Sequence, residues 1–262
     1  MTLDRVAAVK AERNAVVSFL HQLDDSDWAH PSTCKGWTIK DVVSHLGAAA
    51  HGFFTPWVVG LMVNGDVEAH NDRDAEKRRD WDPKKVLTEY EKWSRRAGVA
   101  HAALQKPGLR SLPIRLAEVG TYPAYLLTSA IVFDSGLHLR HDMASALGRS
   151  TSPTDDNRLG CTLEWMFAGL SPMTGDALAW LERPLEVNLV GGGGGTWTVA
   201  PHKNGRISVS AGSGGDPIAA VEGDAATFPV WGTRRQAWRD ADVSLKGDED
   251  IAARFLDAMR II

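Results

Sequence analysis

Apolar residues recur at three- and four-residue intervals along the first part of this 262-residue chain, and this spacing is what most limits its fold. Such intervals predict helices that each bury one face. Four long helices joined by loops are typical of a four-helix bundle, which we place at residues 1–155. The predicted helices cover 3–23, a segment that starts near Ile39, 82–104, and a segment that ends at Gly148.

The pattern changes after about residue 155, where one more helix is predicted at 158–182, with Pro172 as its expected breaking point. Apolar and polar residues then alternate around turn residues, which predicts strands joined by hairpins. The sequence therefore predicts a small α+β domain at residues 156–262. Its strands are expected at 185–190, 195–200, 206–211 and in IAAVEG, and its closing helices in DAATFPVWGTRRQAW and GDEDIAARFLDAMRII.

The glycine run Gly191–Gly195 allows two interpretations, a phosphate-binding loop or a hairpin turn. A phosphate loop of the Walker type needs a lysine, a serine or threonine, and a helix directly after it. The run has none of these, so we interpret it as a flexible hairpin turn between two strands.

Charge and cysteine content exclude several classes of protein. The formal net charge is −4 and no block of like charges occurs, so neither a nucleic acid nor an anionic membrane is an expected partner. Two cysteines, Cys34 and Cys161, do not make a disulfide framework. The N-terminal segment also lacks the apolar core of a signal peptide, so we expect a cytoplasmic protein.

One uncharged stretch, residues 46–63, raises the question of a membrane span. His51 and Pro56 interrupt it, and a transmembrane helix needs about 20 predominantly apolar residues. We interpret the stretch as a buried bundle helix with a break near Pro56.

Titratable residues lie at helical spacing in the otherwise apolar segment FDSGLHLRHDMASAL, residues 133–147. Asp134 and His138 are four residues apart, so both side chains lie on one face of a helix. A carboxylate and an imidazole at this spacing suit a divalent metal, and His45 on another bundle helix is the natural third ligand. Two histidines and one carboxylate leave an open coordination position, as catalytic metal sites do. Alternatively, the pair forms a simple ion pair that stabilises the helix.

Four neighbouring residues have less specific roles. Asp142 could orient a ligand histidine, whereas Asp41 is expected to cap the helix that carries His45. Cys34 is interpreted as a small packing residue. His141 could line the site or face solvent.

The segment CKGWTIKDVVSHL resembles the opening signature of the mycothiol-dependent maleylpyruvate isomerase family, part of the DinB-like metalloenzyme superfamily. The stretch DSGLHLRHDMASALG resembles that family's second metal motif. The segment from LVGGGGGTWTVA to the end is similar to the family's C-terminal domain. The three motifs occur in the family's order, and the resemblance covers most of the chain.

This resemblance implies a zinc site in a DinB-like four-helix bundle that is followed by a small α+β domain. His45, Asp134 and His138 match the three ligand positions. Many members have glutamate where this chain has Asp134, and two histidines with one carboxylate could also hold Fe(II), so the metal stays open. The resemblance also implies an arginine that reaches toward the active site, and either Arg234 or Arg235 matches it.

The activity that the resemblance implies is that of an enzyme whose nucleophile is mycothiol, bound to zinc as a thiolate. It would act as an isomerase or an S-transferase on a small electrophile, with Arg234 or Arg235 paired to a carboxylate. The expected partners are a small-molecule thiol and a small electrophilic substrate. Two alternatives stay open: a metal-assisted hydrolase of the same fold, and a non-catalytic module that binds a small ligand.

Overall fold

The computed structural model describes residues 2–55 and 66–261, and the chain forms two compact units, 2–153 and 154–262. The sequence places this division after residue 155. The predicted break near Pro56 lies outside the described residues. Within the described ranges, no helix is both long enough and apolar enough to cross a membrane.

The N-terminal unit is built from helices that pack their apolar faces together. Its helices are α1 (Arg5–Leu20), α2 (Asp25–Ala29), α3 (Ile39–Gly52), α4 (Val67–Glu76), α5 (Pro83–Leu104) and α6 (Leu126–Leu137), and a π-helix (His138–Ala144) continues α6. The helix α3 packs along α5, and α1 packs along α6. The four long helices confirm the predicted bundle.

A cluster of buried apolar side chains fixes α3 against its neighbours. Leu139 and Met143 of the π-helix and Val86 and Tyr90 of α5 are fully or almost fully buried in it. The members contributed by α3 are Ile39, Val42, Val43 and Leu46. Because protein interiors are close-packed, this cluster determines how α3 is placed relative to the π-helix.

Two helices begin where the local sequence supplies a cap. Thr38 and Asp41 form a reciprocal capping box at the start of α3, with Asp41 Oδ2 accepting from the Thr38 backbone N–H at 2.9 Å. Asp82 accepts from the Lys84 backbone N–H, and Pro83 occupies the first turn of α5. Both helices therefore start where the sequence predicts.

The segment ahead of α6 forms a β-hairpin that the sequence pattern does not predict. Its strands are β1 (Pro113–Leu116) and β2 (Gly120–Pro123), which pair antiparallel. Gly120 has φ +134° and Ala117 has φ +42°, and neither value occurs in a right-handed helix. The predicted fourth helix therefore begins only at Leu126, after this hairpin. The polar helix α4 was not predicted, because it lacks an apolar stripe.

The C-terminal unit is α+β, as predicted. Its elements are α7 (Asp156–Thr174), β3 (Leu185–Val190), β4 (Gly195–Pro201), β5 (Ile207–Ala211), β6 (Ala219–Asp224), α8 (Phe228–Gly232), β7 (Val243–Gly247) and α9 (Glu249–Ala258). The sheet order is β5-β4-β3-β6-β7, and β3 pairs parallel with β6 while the other neighbours are antiparallel.

Two predicted helices of this unit end earlier than expected. The helix α7 continues past Pro172 but stops at Thr174, because Gly175 adopts φ +60°. The only helix in the segment DAATFPVWGTRRQAW is the short α8, and a 3₁₀ turn (Trp238–Asp240) begins at its last residue. The edge strand β7 was not predicted.

The glycine run forms the turn between β3 and β4. The Gly194 backbone N–H donates to the Gly191 carbonyl at 3.1 Å, and Gly191 and Gly193 have φ of +103° and +73°. A Cβ at Gly194 would lie 2.2 Å from the Leu189 carbonyl oxygen. Glycine is required here by the turn geometry, in agreement with the hairpin interpretation.

Replacing Thr38 by alanine removes one half of the capping box on α3. We expect Thr38→Ala to lower the free energy of unfolding by about 1 kcal/mol in urea denaturation followed by circular dichroism. The matched control is Thr88→Ala on the exposed face of α5, whose hydroxyl only bonds its own helix at the Lys84 carbonyl. The control should change stability by less than about 0.5 kcal/mol. An equal decrease in the free energy of unfolding in both variants would contradict the capping role of Thr38.

Candidate metal centre

Three side chains from three elements of the bundle meet at one point, with two imidazoles on either side of one carboxylate. His45 lies on α3, Asp134 lies on α6, and His138 is the first residue of the π-helix. His45 Nε2 is 3.5 Å from Asp134 Oδ2, and His138 Nε2 is 3.4 Å from Asp134 Oδ1. The two imidazole rings are 5.2 Å apart between centroids. The structure thus brings together the three predicted metal ligands.

The spacing of these atoms suits a small divalent cation. Ligand atoms about 2.1 Å from a tetrahedral zinc ion lie roughly 3.4 Å from one another. Each histidine lies at about this distance from a different oxygen of Asp134, and one ligand atom from each of the three residues lies within 4.8 Å of the others. Two imidazole nitrogens and one carboxylate oxygen are also a donor set that catalytic zinc sites use. The residues present therefore fit a metal ion.

The electrostatics of the cluster favour a positive charge beside Asp134. Burial by itself would raise the pKa of Asp134, but the neighbouring His45 and His138 hold the pKa of this carboxyl well below its usual range. Burial likewise opposes protonation of His138, yet the Asp134 and Asp142 carboxylates and the Cys34 thiol raise its pKa well above the ordinary value. A bound divalent cation would supply the same charge, with both imidazoles neutral.

A second carboxylate holds His138 in place. Asp142 Oδ2 lies 2.8 Å from His138 Nδ1, and the side chain of Asp142 is almost fully buried. Asp142 is itself fixed, because Thr33 donates its hydroxyl to Oδ1 at 2.7 Å and its backbone N–H to the Asp142 carbonyl at 3.2 Å. Such a carboxylate–histidine pair orients the ring so that the other nitrogen, Nε2, faces the ligand position.

Four-residue spacing on both sides explains how one histidine meets two carboxylates. Asp134 lies one turn before His138 and Asp142 lies one turn after it. Single π-helical turns inside longer helices are frequently found at functional sites. The sequence places these residues on one face but does not reveal the π-helix, because its spacing is close to that of an α-helix.

Cys34 lies closer to the centre than the sequence indicates. Its Sγ is 3.9 Å from His138 Nδ1, and with Asp142 it forms a second set of ligand types around that nitrogen. The same nitrogen is already engaged by Asp142 at 2.8 Å. Cys34 sits in the loop before α3, and no periodic signal could have placed it here.

Other residues considered from the sequence lie outside the centre. Asp41 caps α3. The backbone carbonyl of His141 accepts from the Thr33 hydroxyl at 3.1 Å. His51 lies 3.2 Å from Glu89 Oε1 and stacks on Trp93 with 4.0 Å between ring centroids.

The N-terminal unit also matches a family of known proteins. Residues 9–124 match the model of the mycothiol maleylpyruvate isomerase N-terminal domain. The matched residues make up less than half of the chain, so the N-terminal unit is similar to that domain. Its first metal motif, with His45, lies within the matched residues, whereas Asp134 and His138 follow them.

Two solved structures share the fold over nearly the whole length of the chain. They are crystal structures of the mycothiol-dependent maleylpyruvate isomerase and of a histidine-to-alanine mutant of it, at 16% and 15% sequence identity. Each has a TM-score of 0.58 and covers 94% of this chain and 96% of its own. No sequence among the curated proteins matches the chain. At these identities the comparison confirms the fold, a DinB-like bundle followed by an α+β domain.

The two arginines matched to the family's basic position differ in their contacts. Arg234 donates from Nη2 to the Asp257 carbonyl at 2.7 Å and to the Met259 carbonyl at 2.9 Å, at the C-terminal end of α9. It also adopts φ +60°. Arg235 donates from Nη1 to the Thr233 hydroxyl at 3.1 Å. The guanidinium of Arg234 therefore caps a helix, since α9 leaves these carbonyls without partners in its own turn.

Removal of a ligand histidine should remove the metal. We expect His45→Ala and His138→Ala to lower zinc affinity by more than 100-fold, and Asp142→Asn to lower it by about 10-fold, because Asp142 only orients a ligand. Zinc content is measured by mass spectrometry and affinity by chelator competition. His21→Ala is the control, because His21 is exposed and pairs with Glu91. Undiminished zinc in His45→Ala and His138→Ala would contradict the site.

Proposed function

We propose that this chain is a metal-dependent enzyme that uses mycothiol as its nucleophile, acting as an isomerase or an S-transferase on a small electrophile. The observation that carries the proposal is the convergence of His45, Asp134 and His138 in a unit that is similar to the mycothiol maleylpyruvate isomerase N-terminal domain. The solved structures of the same fold bear the name of a mycothiol-dependent maleylpyruvate isomerase, which supports the isomerase assignment.

The arrangement leaves room for an external molecule at the centre. The side chains of His45 and His138 are 8% and 12% exposed, whereas that of Asp134 is 30% exposed. The two histidines are therefore buried, and the centre is accessible to solvent at Asp134. Three protein ligands leave a coordination position that a small molecule can take.

A divalent ion in this position, most simply zinc, would lower the pKa of a thiol near it, so that the thiolate predominates near neutral pH. The residues of the chain prepare this position. His45 and His138 present Nε2 toward Asp134, and Asp142 fixes the ring of His138 through Nδ1. The second carboxylate also keeps negative charge close to the centre, which favours a cation over an anion there.

An arginine of the C-terminal unit is proposed to bind a carboxylate of the substrate or of the thiol. Of the two candidates we propose Arg235, because the guanidinium of Arg234 is engaged by two backbone carbonyls. A guanidinium pairs bidentately with a carboxylate, which gives orientation as well as charge.

A cytoplasmic location is also proposed. Cys34 and Cys161 are both free thiols, as expected in a reducing compartment. Such a compartment would keep a low-molecular-weight thiol in its reduced, reactive form.

Turnover should require the thiol. The assay mixes zinc-loaded protein, mycothiol and a panel of small electrophiles that includes maleylpyruvate. We expect product only with mycothiol, and we expect His138→Ala to abolish it while retaining helical circular dichroism. Removal of the metal with a chelator should have the same effect, and added zinc should restore turnover. An equal rate without any thiol would refute the proposal and favour hydrolysis by a metal-activated water.

Substitution of Arg235 should affect activity, whereas substitution of Arg234 should affect stability. Arg235→Ala should raise KM or lower kcat at least tenfold, with a smaller loss of melting temperature than Arg234→Ala. Arg234→Ala should lower the melting temperature, because two carbonyls at the end of α9 lose their donor. Thermal unfolding and steady-state kinetics of both variants test this assignment. Full activity of Arg235→Ala would contradict it.

A further inference from the structure

A cavity enters the helical bundle beside the metal centre. Its volume is about 430 Å³, part of it open to solvent, and Asp134 forms one part of its wall. Most of the other lining side chains are apolar: Val9, Leu46, Ala49, Ala50, Phe53, Ala97 and Ile131. We call this space the bundle cavity. Small-molecule sites are mostly apolar with a few placed polar groups, and the lining of the bundle cavity has this composition.

One polar group in the wall of the bundle cavity has no partner. His101 is 1% exposed, and its Nε2 makes no hydrogen bond within the described part of the chain. Its Nδ1 lies 3.2 Å from the hydroxyl of Thr128, which is not a lining residue. The ring therefore turns Nδ1 away from the cavity and Nε2 toward it. A buried polar atom without a partner is costly, so this nitrogen is a candidate for a ligand contact.

The hydrogen bonds around His101 determine which nitrogen carries its proton. Burial lowers the pKa of His101 to about 4, so the ring is neutral near pH 7. Gln105 Nε2 donates to the Thr128 hydroxyl oxygen at 2.9 Å. The hydrogen of that hydroxyl is then directed to His101 Nδ1, its remaining neighbour at 3.2 Å. The neutral ring consequently holds its single proton on Nε2, as a donor that faces the cavity.

We propose that the bundle cavity binds the apolar part of the electrophilic substrate and that His101 Nε2–H donates a hydrogen bond to a carbonyl oxygen of that part. This inference rests on the proposed function, because it names the substrate class of the same centre. Asp134 is shared by the metal centre and the cavity wall, so a molecule held in the cavity would lie beside this carboxylate. His101 is then a specificity-determining residue.

The surroundings favour a neutral acceptor over a carboxylate in this cavity. His101 carries no charge near neutral pH, and the Asp134 carboxylate in the wall repels a second anion. The guanidinium of Arg13, also in the wall, already donates from Nε to Ser94 Oγ at 2.9 Å and from Nη2 to the Glu91 carbonyl at 3.1 Å. A carboxylate buried among the apolar side chains would keep little compensation for lost hydration.

The test is a binding measurement that does not depend on turnover. Calorimetric and NMR titrations compare acetophenone, ethylbenzene and benzoate, three probes of similar size that differ in the acceptor. We expect the protein as purified to bind acetophenone about fivefold more tightly than ethylbenzene, and benzoate more weakly than either. His101→Phe should remove the preference for acetophenone and leave ethylbenzene affinity unchanged. Benzoate as the tightest ligand, or no acetophenone binding at all, would overturn the proposal.

Three further variants make the result independent of a single substitution. Thr128→Val keeps the imidazole but removes its partner at Nδ1, and should reduce the preference for acetophenone at least twofold. Ala49→Leu fills the cavity and should weaken acetophenone and ethylbenzene alike, by about tenfold. Val99→Ala, at an exposed position of α5, is the control and should leave the affinities for acetophenone and ethylbenzene unchanged. Acetophenone binding that survives Ala49→Leu would place the ligand elsewhere and overturn the proposal.

These outcomes are distinct from those that test the proposed function. The protein could bind acetophenone in a way that depends on His101 and Ala49 but show no thiol-dependent turnover. That result would refute the proposed enzymatic activity and support the cavity as a carbonyl-binding site. Thiol-dependent turnover without acetophenone binding would keep the enzyme and refute the inference.

Discussion

The shared carboxylate of Asp134 is the contact on which the site depends. It lies between two imidazoles that arrive from separate parts of the bundle, and each of its oxygens faces a different ring. Such an arrangement persists only if α3 and the π-helix keep a fixed relative position. The buried cluster that includes Val42, Val43, Leu139 and Met143 provides this constraint, because a close-packed interior resists displacement.

The surrounding hydrogen bonds place a second carboxylate beside the candidate ligands. His138 has a carboxylate at each ring nitrogen, and the more buried of the two, Asp142, is fixed by Thr33 from the loop before α3. One cluster therefore combines residues from α3, its preceding loop, α6 and the π-helix. Removing one charged member leaves the others buried without compensation, which is why ligand variants are expected to lose the metal rather than rearrange.

In our proposal, the bundle cavity contributes to the choice of substrate. The metal centre is rich in charge, whereas the cavity beside it is apolar and offers one neutral donor at His101. Asp134 belongs to both. A reactive group could be held at the charged centre while an uncharged substituent occupies the cavity, and the two regions would contribute separately to affinity and to specificity.

The sequence by itself determined the features that depend on near neighbours. Caps at Thr38 and Asp82, the strand alternation after residue 184, and the pairing of Asp134 with His138 all follow from side chains within a few residues of one another. His45 could be selected because a bundle brings apolar helix faces together, although periodicity does not show which ring atoms meet.

The remaining features were decided only by the tertiary structure. They depend on contacts between residues that are distant in the chain, or on backbone conformations that the sequence pattern does not show. The approach of Cys34 and Thr33 to the π-helix spans more than 100 residues. The hairpin before α6, the early end of α7 at Gly175, and the separation of Arg234 from Arg235 depend on backbone conformations that composition does not reveal. The buried donor of His101 is likewise a product of packing, since its Nδ1 contacts the hydroxyl of Thr128, which lies on another helix.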